Sequence, residues 1–542
     1  MKHSSAKDKD RPQPERFSAG RVLGPGSGGE QEGGFLRELS LTDATMIVAG
    51  SMIGSGIFIV SADMGRLLGA SGWLLLGWIV TGVLTLAGAL AYGELSGMMP
   101  QAGGQYVFLR EAYSPLWGFL FGWTNFFVIK TGSIAAVGAA FAKYLGVLVP
   151  AVSPTAWVVK PINLSSGYAI SLSSQQLLAI LIILFLSYIN TRGVRTGKLV
   201  QNVFTSVKTL SLVALALIGL AYVVGHAPAA SNFTDPWTPR NTITILPDFP
   251  ILPPVSAESG IIGLLVAFCL AQVGSLFAAD AWGDLTFASG EVKNPRRSVP
   301  LAMAAGTGLV ITLYILANVT YLTALPLEKI QQAPDDRVAT AALETIFGGA
   351  GAVIMAVAIM ISTFGCNNGM ILTGARVYYA MARDGLFFKS TGRLNARAVP
   401  GAGLVLQGVW SAILVLPRTR LCDAAGNPLI DPTTGLEQYG NMYSALLDYV
   451  IFAQLLFYVL TVIGIFILRR RWPDVPRPYR AFGYPIIPAL YVLAAASIMV
   501  VMLLYKTQTT WPGLALVLTG IPVYALWRSS SRSAGKTLHT PR

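Results

Sequence analysis

Charge is scarce in this chain: Asp, Glu, Lys and Arg together make up 12% of its 542 residues. So low a share excludes an ordinary soluble domain, whose surface needs about twice that. Cysteine is almost missing. Cys269 and Cys366 lie in apolar stretches and Cys422 stands alone in a loop, so neither a disulfide framework nor a metal-ligand spacing is present. The three histidines, His3, His226 and His539, fall outside the apolar stretches. No HExxH pair and no Walker-type phosphate loop occur, which speaks against a metalloenzyme and an ATP-driven machine. No metal and no cofactor is expected. Residues 1–34 lack the apolar core of a signal peptide. They are polar, Gly-rich and Pro-containing, and 1–38 is expected to form a disordered tail.

Apolar residues fill the space that charge leaves. The chain is 53% hydrophobic, with a mean hydropathy of +0.58. Runs of about 20 apolar residues, the length a bilayer core requires, recur along it. Spans are expected near 42–68, 72–98, 114–148, 174–191, 199–224, 258–291, 300–324, 348–384, 401–417, 444–469, 484–505 and 511–528. This describes an all-α integral membrane protein of about twelve helices. Between the spans, 326–347 should carry a short surface helix at 339–346, while the Pro-, Asn-, Asp- and Thr-rich loops 225–257 and 417–443 read as irregular.

The net charge of +13 would suit nucleic acid, but its placement does not. Positive residues gather in alternate loops: Arg192, Arg195 and Lys198; Lys293, Arg296 and Arg297; Arg383, Lys389, Arg393 and Arg397; Arg469, Arg470, Arg471, Arg477 and Arg480. That is the positive-inside pattern. It places both termini in the cytoplasm and makes the lipid bilayer, not nucleic acid, the partner.

Two spans are interrupted. The first carries Gly54-Ser55-Gly56 at its centre, and the sixth carries Asp280, Gly283 and Asp284 within SLFAADAWGDLTF. Unpaired backbone at membrane depth is tolerated only where it lines a protein-walled cavity. Gly and Ser also let helices pack closely, which is the competing explanation for the first break. Two breaks five helices apart favour the other one: an inverted-repeat transporter whose half-helix ends meet a ligand. The first repeat would span about 39–224 and the second about 258–470. Peripheral helices would occupy about 484–528, within a transporter domain of 39–530, with a second tail at 531–542.

Four ordered segments are more specific than any short motif. They are GSMIGSGIF at 50–58, FAADAWGDLTFASGEVKNPRRSVPLAM at 277–303, ARVYYAMARDGLF at 375–387 and RPYRAFGYP at 477–485. Through them the chain resembles the amino acid–polyamine–organocation superfamily of permeases, most closely its L-type amino acid transporter branch. The resemblance implies a LeuT-like fold of 5+5 inverted repeats with discontinuous helices 1 and 6, a midplane site and alternating access. It implies that the carbonyls of Met52 and Ile53 accept from an amino acid's α-ammonium, while Ser55 and Gly56 hold its α-carboxylate. It implies further that Phe277 closes over the substrate, that Phe277, Ala278 and Asp280 complete the ammonium site, and that Trp282 and Gly283 shape the side-chain pocket. In sodium-independent relatives a fifth-helix lysine stands where a cation binds in sodium-coupled ones. Lys208 would be that residue, touching backbone near Gly54 and side chains near Ser362 or Thr363. Animal relatives of this branch join a heavy chain through a cysteine in the loop after the third span. None lies between Pro150 and Ser173, so no disulfide-linked heavy chain is expected, which suits a chain acting alone in a bacterial inner membrane.

Ionisable residues inside the bilayer are functional hypotheses by default. Lys130, in the third span, departs from the family pattern. It would pair with Asp280 or face the cavity, and Asp284 would line the pathway one turn on. Glu94, Glu291, Lys293, Arg376 and Arg383 lie toward the cytoplasmic ends of spans. They would form an inner gate, with Glu94 a member, or serve as interfacial anchors. The function expected is sodium-independent transport of amino acids, by exchange or facilitation of neutral L-amino acids. A proton-coupled or cationic amino acid permease and a non-transporting sensor stand as alternatives, and a channel is disfavoured by the paired breaks.

Overall fold

The computed structural model describes residues 35–165, 168–225, 231–247, 252–421, 428–430, 437–439 and 442–536. The expected tail over residues 1–34, the end of the second tail beyond Lys536, Cys422 and the three histidines lie outside them. Among the described residues, ten helices are long and apolar enough to cross a membrane. The broken first helix and the short ninth, Gly401–Leu414, bring the total to the expected twelve.

The first span runs Leu41–Met52, breaks, and resumes through Gly56–Phe58 into Val60–Leu68. The second is Ser71–Met98, the third Pro115–Leu148, the fourth Ser174–Thr191 and the fifth Val194–Gly225. The sixth runs Ile261–Ala278, breaks, and continues as a tighter turn over Trp282–Glu291. Pro295–Ala324, Gly349–Arg383 and Gly401–Leu414 follow as the seventh to ninth, then Met442–Arg471, Ile486–Tyr505 and Thr507–Lys536. The last of these continues helically into the expected second tail. Glycines set the closest approaches. A Cβ on Gly82 of the second span would lie 2.4 Å from the Ile311 side chain of the seventh, so these two helices pack as tightly as small residues allow.

Two local features differ from expectation. Residues 157–163 and 168–173 form antiparallel strands β1 (Trp157–Asn163) and β2 (Tyr168–Ser173), and β3 (Pro417–Thr419) adds to β2. The loop expected to be irregular thus contributes a strand at its start. Its backbone hydrogen bonds go to a partner some 250 residues away, which no local turn signal marks. The sheet caps the face opposite the termini. The short helix expected at 339–346 is present as Val338–Phe347, but Val338, Ala339 and Ala342 are fully buried, so only one side of it meets the surface. On the terminal face, Leu39 pairs with Val292 and Phe35 packs edge-on against Tyr379.

Candidate functional site

The first span starts with a capping box. The Ser40 hydroxyl accepts from the Asp43 amide, and the Asp43 carboxylate accepts from the Ser40 amide. Twelve residues on, Ile53 turns extended (φ −73°, ψ 93°) and helical bonding stops. Carbonyls stranded there need donors, because the bilayer supplies none. The fifth and eighth spans supply these. Lys208 Nζ has three N–H groups and faces three carbonyls: Gly50, Ile53 at 2.8 Å and Ser362 at 3.4 Å. The Ser362 hydroxyl donates toward Ile53 (3.1 Å) and Gly54 (2.9 Å), and the Cys366 thiol toward Ser51 (3.0 Å). Thr363, also expected near Lys208, bonds instead to Ile359 and Met360 of its own helix. Helical bonding restarts with Phe58 on Ser55 and Ile59 on Gly56. The amides of Gly56 and Ile57 therefore head a new half-helix, with the positive end of its dipole at the break.

The second break has a different cause. Ala281 sits in the left-handed region at φ 68°, which ends the helix at Ala278 and starts the tighter turn at Trp282. That reversal divides the two acids. Asp280 accepts from the Tyr458 hydroxyl of the tenth span at 2.7 Å. Asp284, one turn on, faces the third span and takes Lys130 Nζ at 2.6 and 2.7 Å, with the Thr373 hydroxyl at 3.2 Å. Lys130 thus pairs with Asp284 and not with Asp280. A π-helical segment over Asn125–Ile129 precedes Lys130 and helps aim it inward. Lys130 and Asp284 are 4% and 5% exposed, so the pair is dry and each charge depends on the other.

The two breaks meet. A Cβ on Gly56 would lie 2.5 Å from that of Ala278; only glycine allows this approach. Tyr314 of the seventh span spans the junction, its hydroxyl 3.0 Å from the carbonyls of both Met52 and Ala278. A cavity of about 20 Å3 lies alongside, with room for one or two waters. Met52, Ser55, Gly56, Phe277, Ala278 and Asp280 are in its wall, joined by Ser51, Gly54, Ser133, Val137, Ala281, Cys366 and Met370. Ile53 is not, since its carbonyl faces Lys208 and Ser362. Trp282 lines a second narrow cavity with Asp280 and Tyr458, stacking on the Tyr458 ring at 4.8 Å. Gly283 is in neither wall and lies against Tyr92. A third, larger cavity of about 600 Å3 opens on the face opposite the termini and reaches down to Ile59, just past the first break. Arg418, in its wall, hydrogen-bonds Ser171 and Ser173 and packs over Trp157; burial pushes its pKa down.

Several residues in or behind the wall had weak but usable signals. Ser133 follows Lys130 by one helical turn. Ser362, Cys366 and Met370 are spaced by four and share one stripe of the eighth helix. Tyr314 is a hydroxyl deep in an apolar span, and such a group requires a partner.

The two glutamates expected toward the terminal face sit in separate clusters. Glu94 is fully buried and accepts from Arg469 (2.6 and 2.9 Å) and from the Ala481 amide (2.7 Å), with Arg477 at 3.3 Å. Glu291 pairs with Arg376 at 2.9 Å, both 1% exposed. Neither glutamate is an exposed anchor, and Glu94 is in the wall of none of the three cavities. Lys293 and Arg383 are exposed and join neither cluster.

Multiple apolar spans, two facing breaks and a cavity between them define a membrane transporter built on discontinuous helices. The chain belongs to the amino acid permease family, whose profile matches residues 39–526. It is an amino acid transporter rather than an enzyme. It is similar to the human large neutral amino acids transporter small subunit 2, at 29% identity over 536 residues, covering 97% of this chain and 86% of that protein. It is 27% identical to the mouse b(0,+)-type amino acid transporter 1, covering 91% and 88%. It is 28% identical to the serine/threonine exchanger SteT of Bacillus subtilis (strain 168), covering 91% and 97%.

Proposed function

We propose that this chain exchanges or facilitates the passage of neutral L-amino acids by sodium-independent alternating access, with its substrate between the two breaks. The observation that carries this is the position of Lys208, whose ammonium occupies the carbonyl cluster of the first break. A fixed internal cation there does the work that a bound sodium ion would otherwise do. The amides at Ser55 and Gly56 are assigned to the α-carboxylate, at the positive end of the half-helix. The α-ammonium is assigned to carbonyls of Met52, Phe277, Ala278 and Asp280, with the Phe277 ring as the lid. Ile53 is reassigned to the scaffold, because Lys208 and Ser362 already engage its carbonyl. The 20 Å3 cavity is too small for an amino acid, so the helices part on binding.

In this reading the repeats are about 39–224 and 258–470, and the peripheral helices about 484–528. The protein sits in the plasma membrane of a bacterium with both termini cytoplasmic and acts without a disulfide-linked heavy chain. The 600 Å3 cavity is then the outer entry, and the Glu94 and Glu291 pairs hold the inner side closed. Asp280 in the wall supports a second reading, a proton-coupled or cationic amino acid permease. Uptake driven by an inward proton gradient of one pH unit separates that from exchange.

The test is counterflow into liposomes loaded with an unlabelled amino acid. Ser55→Leu abolishes flux of every amino acid while the protein still folds. Normal flux removes Ser55 from the site, and binding without any flux makes the protein a sensor. A thermal-shift screen against all amino acids identifies the ligand, since a ligand of the native state raises apparent stability.

A further inference from the structure

Polar side chains gather at the side-chain end of the proposed site, where Asp280, Gln454, Tyr458, Thr85 and Tyr491 line one narrow cavity. Asp280 lines both narrow cavities, one beside the first break and one toward the second, tenth and eleventh spans. Its carboxylate already receives the Tyr458 hydroxyl at 2.7 Å and lies beside the Ala281 amide. The Tyr458 hydrogen is thereby committed, and that hydroxyl offers the cavity only an acceptor. Gln454, 6% exposed, lines the same wall, and its Oε1 has no hydrogen-bond partner. The nearest buried cation, Lys130, is engaged by Asp284 and does not reach Asp280. A buried acceptor without a donor is costly, and native structures keep such groups for a reason.

We propose that Asp280 and Gln454 form the side-chain end of the substrate site and select amino acids whose side chains carry hydrogen-bond donors. Hydroxyl, carboxamide and ammonium side chains are favoured over aliphatic and aromatic ones, which widens the proposed range from neutral amino acids to cationic ones, the second reading above. This rests on the substrate lying between the two breaks. A donor satisfies the Gln454 oxygen and adds to the bonds on the Asp280 carboxylate, whereas a leucine side chain leaves the Gln454 oxygen buried and unpaired. Pockets built to hydrogen-bond a substrate reject the analogue that lacks the group far more strongly than apolar pockets reject a missing methylene. Trp282, stacked on Tyr458, forms the flat wall against which the side-chain stem lies.

The experiment is counterflow by the full-length protein in liposomes, with serine, glutamine, lysine, leucine and phenylalanine each at the same concentration. Serine, glutamine and lysine are expected to exchange at least about tenfold faster than leucine and phenylalanine. Gln454→Leu is expected to raise the leucine-to-glutamine ratio about tenfold, and Asp280→Asn to lower the lysine-to-leucine ratio by about as much. Leucine or phenylalanine exchanged as fast as the polar amino acids by the unaltered protein overturns the inference, whatever the variants do, and leaves the transporter reading standing. Equal loss for every amino acid in both variants overturns it as well. No exchange of any amino acid overturns the transporter reading and this inference together.

Discussion

The two broken helices of this protein are interrupted for different reasons and held by different means. The first break is made by Gly54-Ser55-Gly56 and contains no ionisable side chain. Its stranded carbonyls are met by a cation from the fifth span and a hydroxyl from the eighth. The second is made by a left-handed alanine and carries two carboxylates, each with its own partner from another span. A break of bare backbone presents groups that every amino acid can bind. A break with acidic side chains presents groups that only some can. On the proposed reading, the pairing of one with the other divides common recognition from discrimination.

Substitutions on either side test that division, beginning with the largest effect. Lys130→Met leaves Asp284 as an uncompensated buried carboxylate and should destabilise the fold by about 3–5 kcal/mol. The double variant Lys130→Met with Asp284→Asn should recover much of that loss in thermal unfolding. If the single and double variants melt together, the pair is not what holds the second break. Lys208→Met strands the carbonyl of Gly50, leaves that of Ile53 with the Ser362 hydroxyl alone, and should cost about 1–3 kcal/mol. It should also abolish counterflow for every amino acid alike. A selective loss would move Lys208 from common recognition to discrimination.

Gly56→Ala forces a Cβ to within 2.5 Å of Ala278 and should cost about 1–3 kcal/mol by overpacking. Flux should fall at least about tenfold by misplacement of the half-helix. Gly308→Ala, where a Cβ meets nothing within 4 Å, is the matched control. Tyr314→Phe removes one hydroxyl from the junction of the two breaks and should cost about 1 kcal/mol. Its effect should appear mainly in KM, measured by initial-rate uptake. An unchanged KM would mean that the breaks hold their spacing without Tyr314.

The spans were legible because bilayer thickness imposes a length that composition alone reveals. Observed ends fall within a few residues of expected ones, except that the fifth and seventh helices begin about five residues earlier, at Val194 and Pro295, and the twelfth runs on to Lys536, past its expected end at 528. Pro300, at the expected start of the seventh, lies inside the observed helix, which begins with Pro295 at its first position. The breaks were legible because a Gly-Ser-Gly run and a pair of aspartates four residues apart are unusual inside an apolar span. Partner choice was not. Lys130 could have met either acid, and a single left-handed residue, Ala281, decided for Asp284. Nothing in the local order of residues distinguishes an alanine at φ 68° from one in a helix. Glu94 was read from its place near a span end, but Arg469 and Arg477, more than 370 residues away in the chain, fold over it and take it out of water.

The order of residues by itself determined that this is a twelve-span helical membrane protein with interruptions in its first and sixth helices, because the bilayer allows few other answers for so apolar a chain. The three-dimensional packing decided which cation meets which carboxylate, that Tyr314 ties the two breaks together, and that Asp280 and Gln454 share one wall. Those contacts join residues separated by up to several hundred positions, and their geometry depends on helix rotation and on one backbone dihedral. Hydropathy specifies how deep a residue lies in the membrane and leaves open which way it faces.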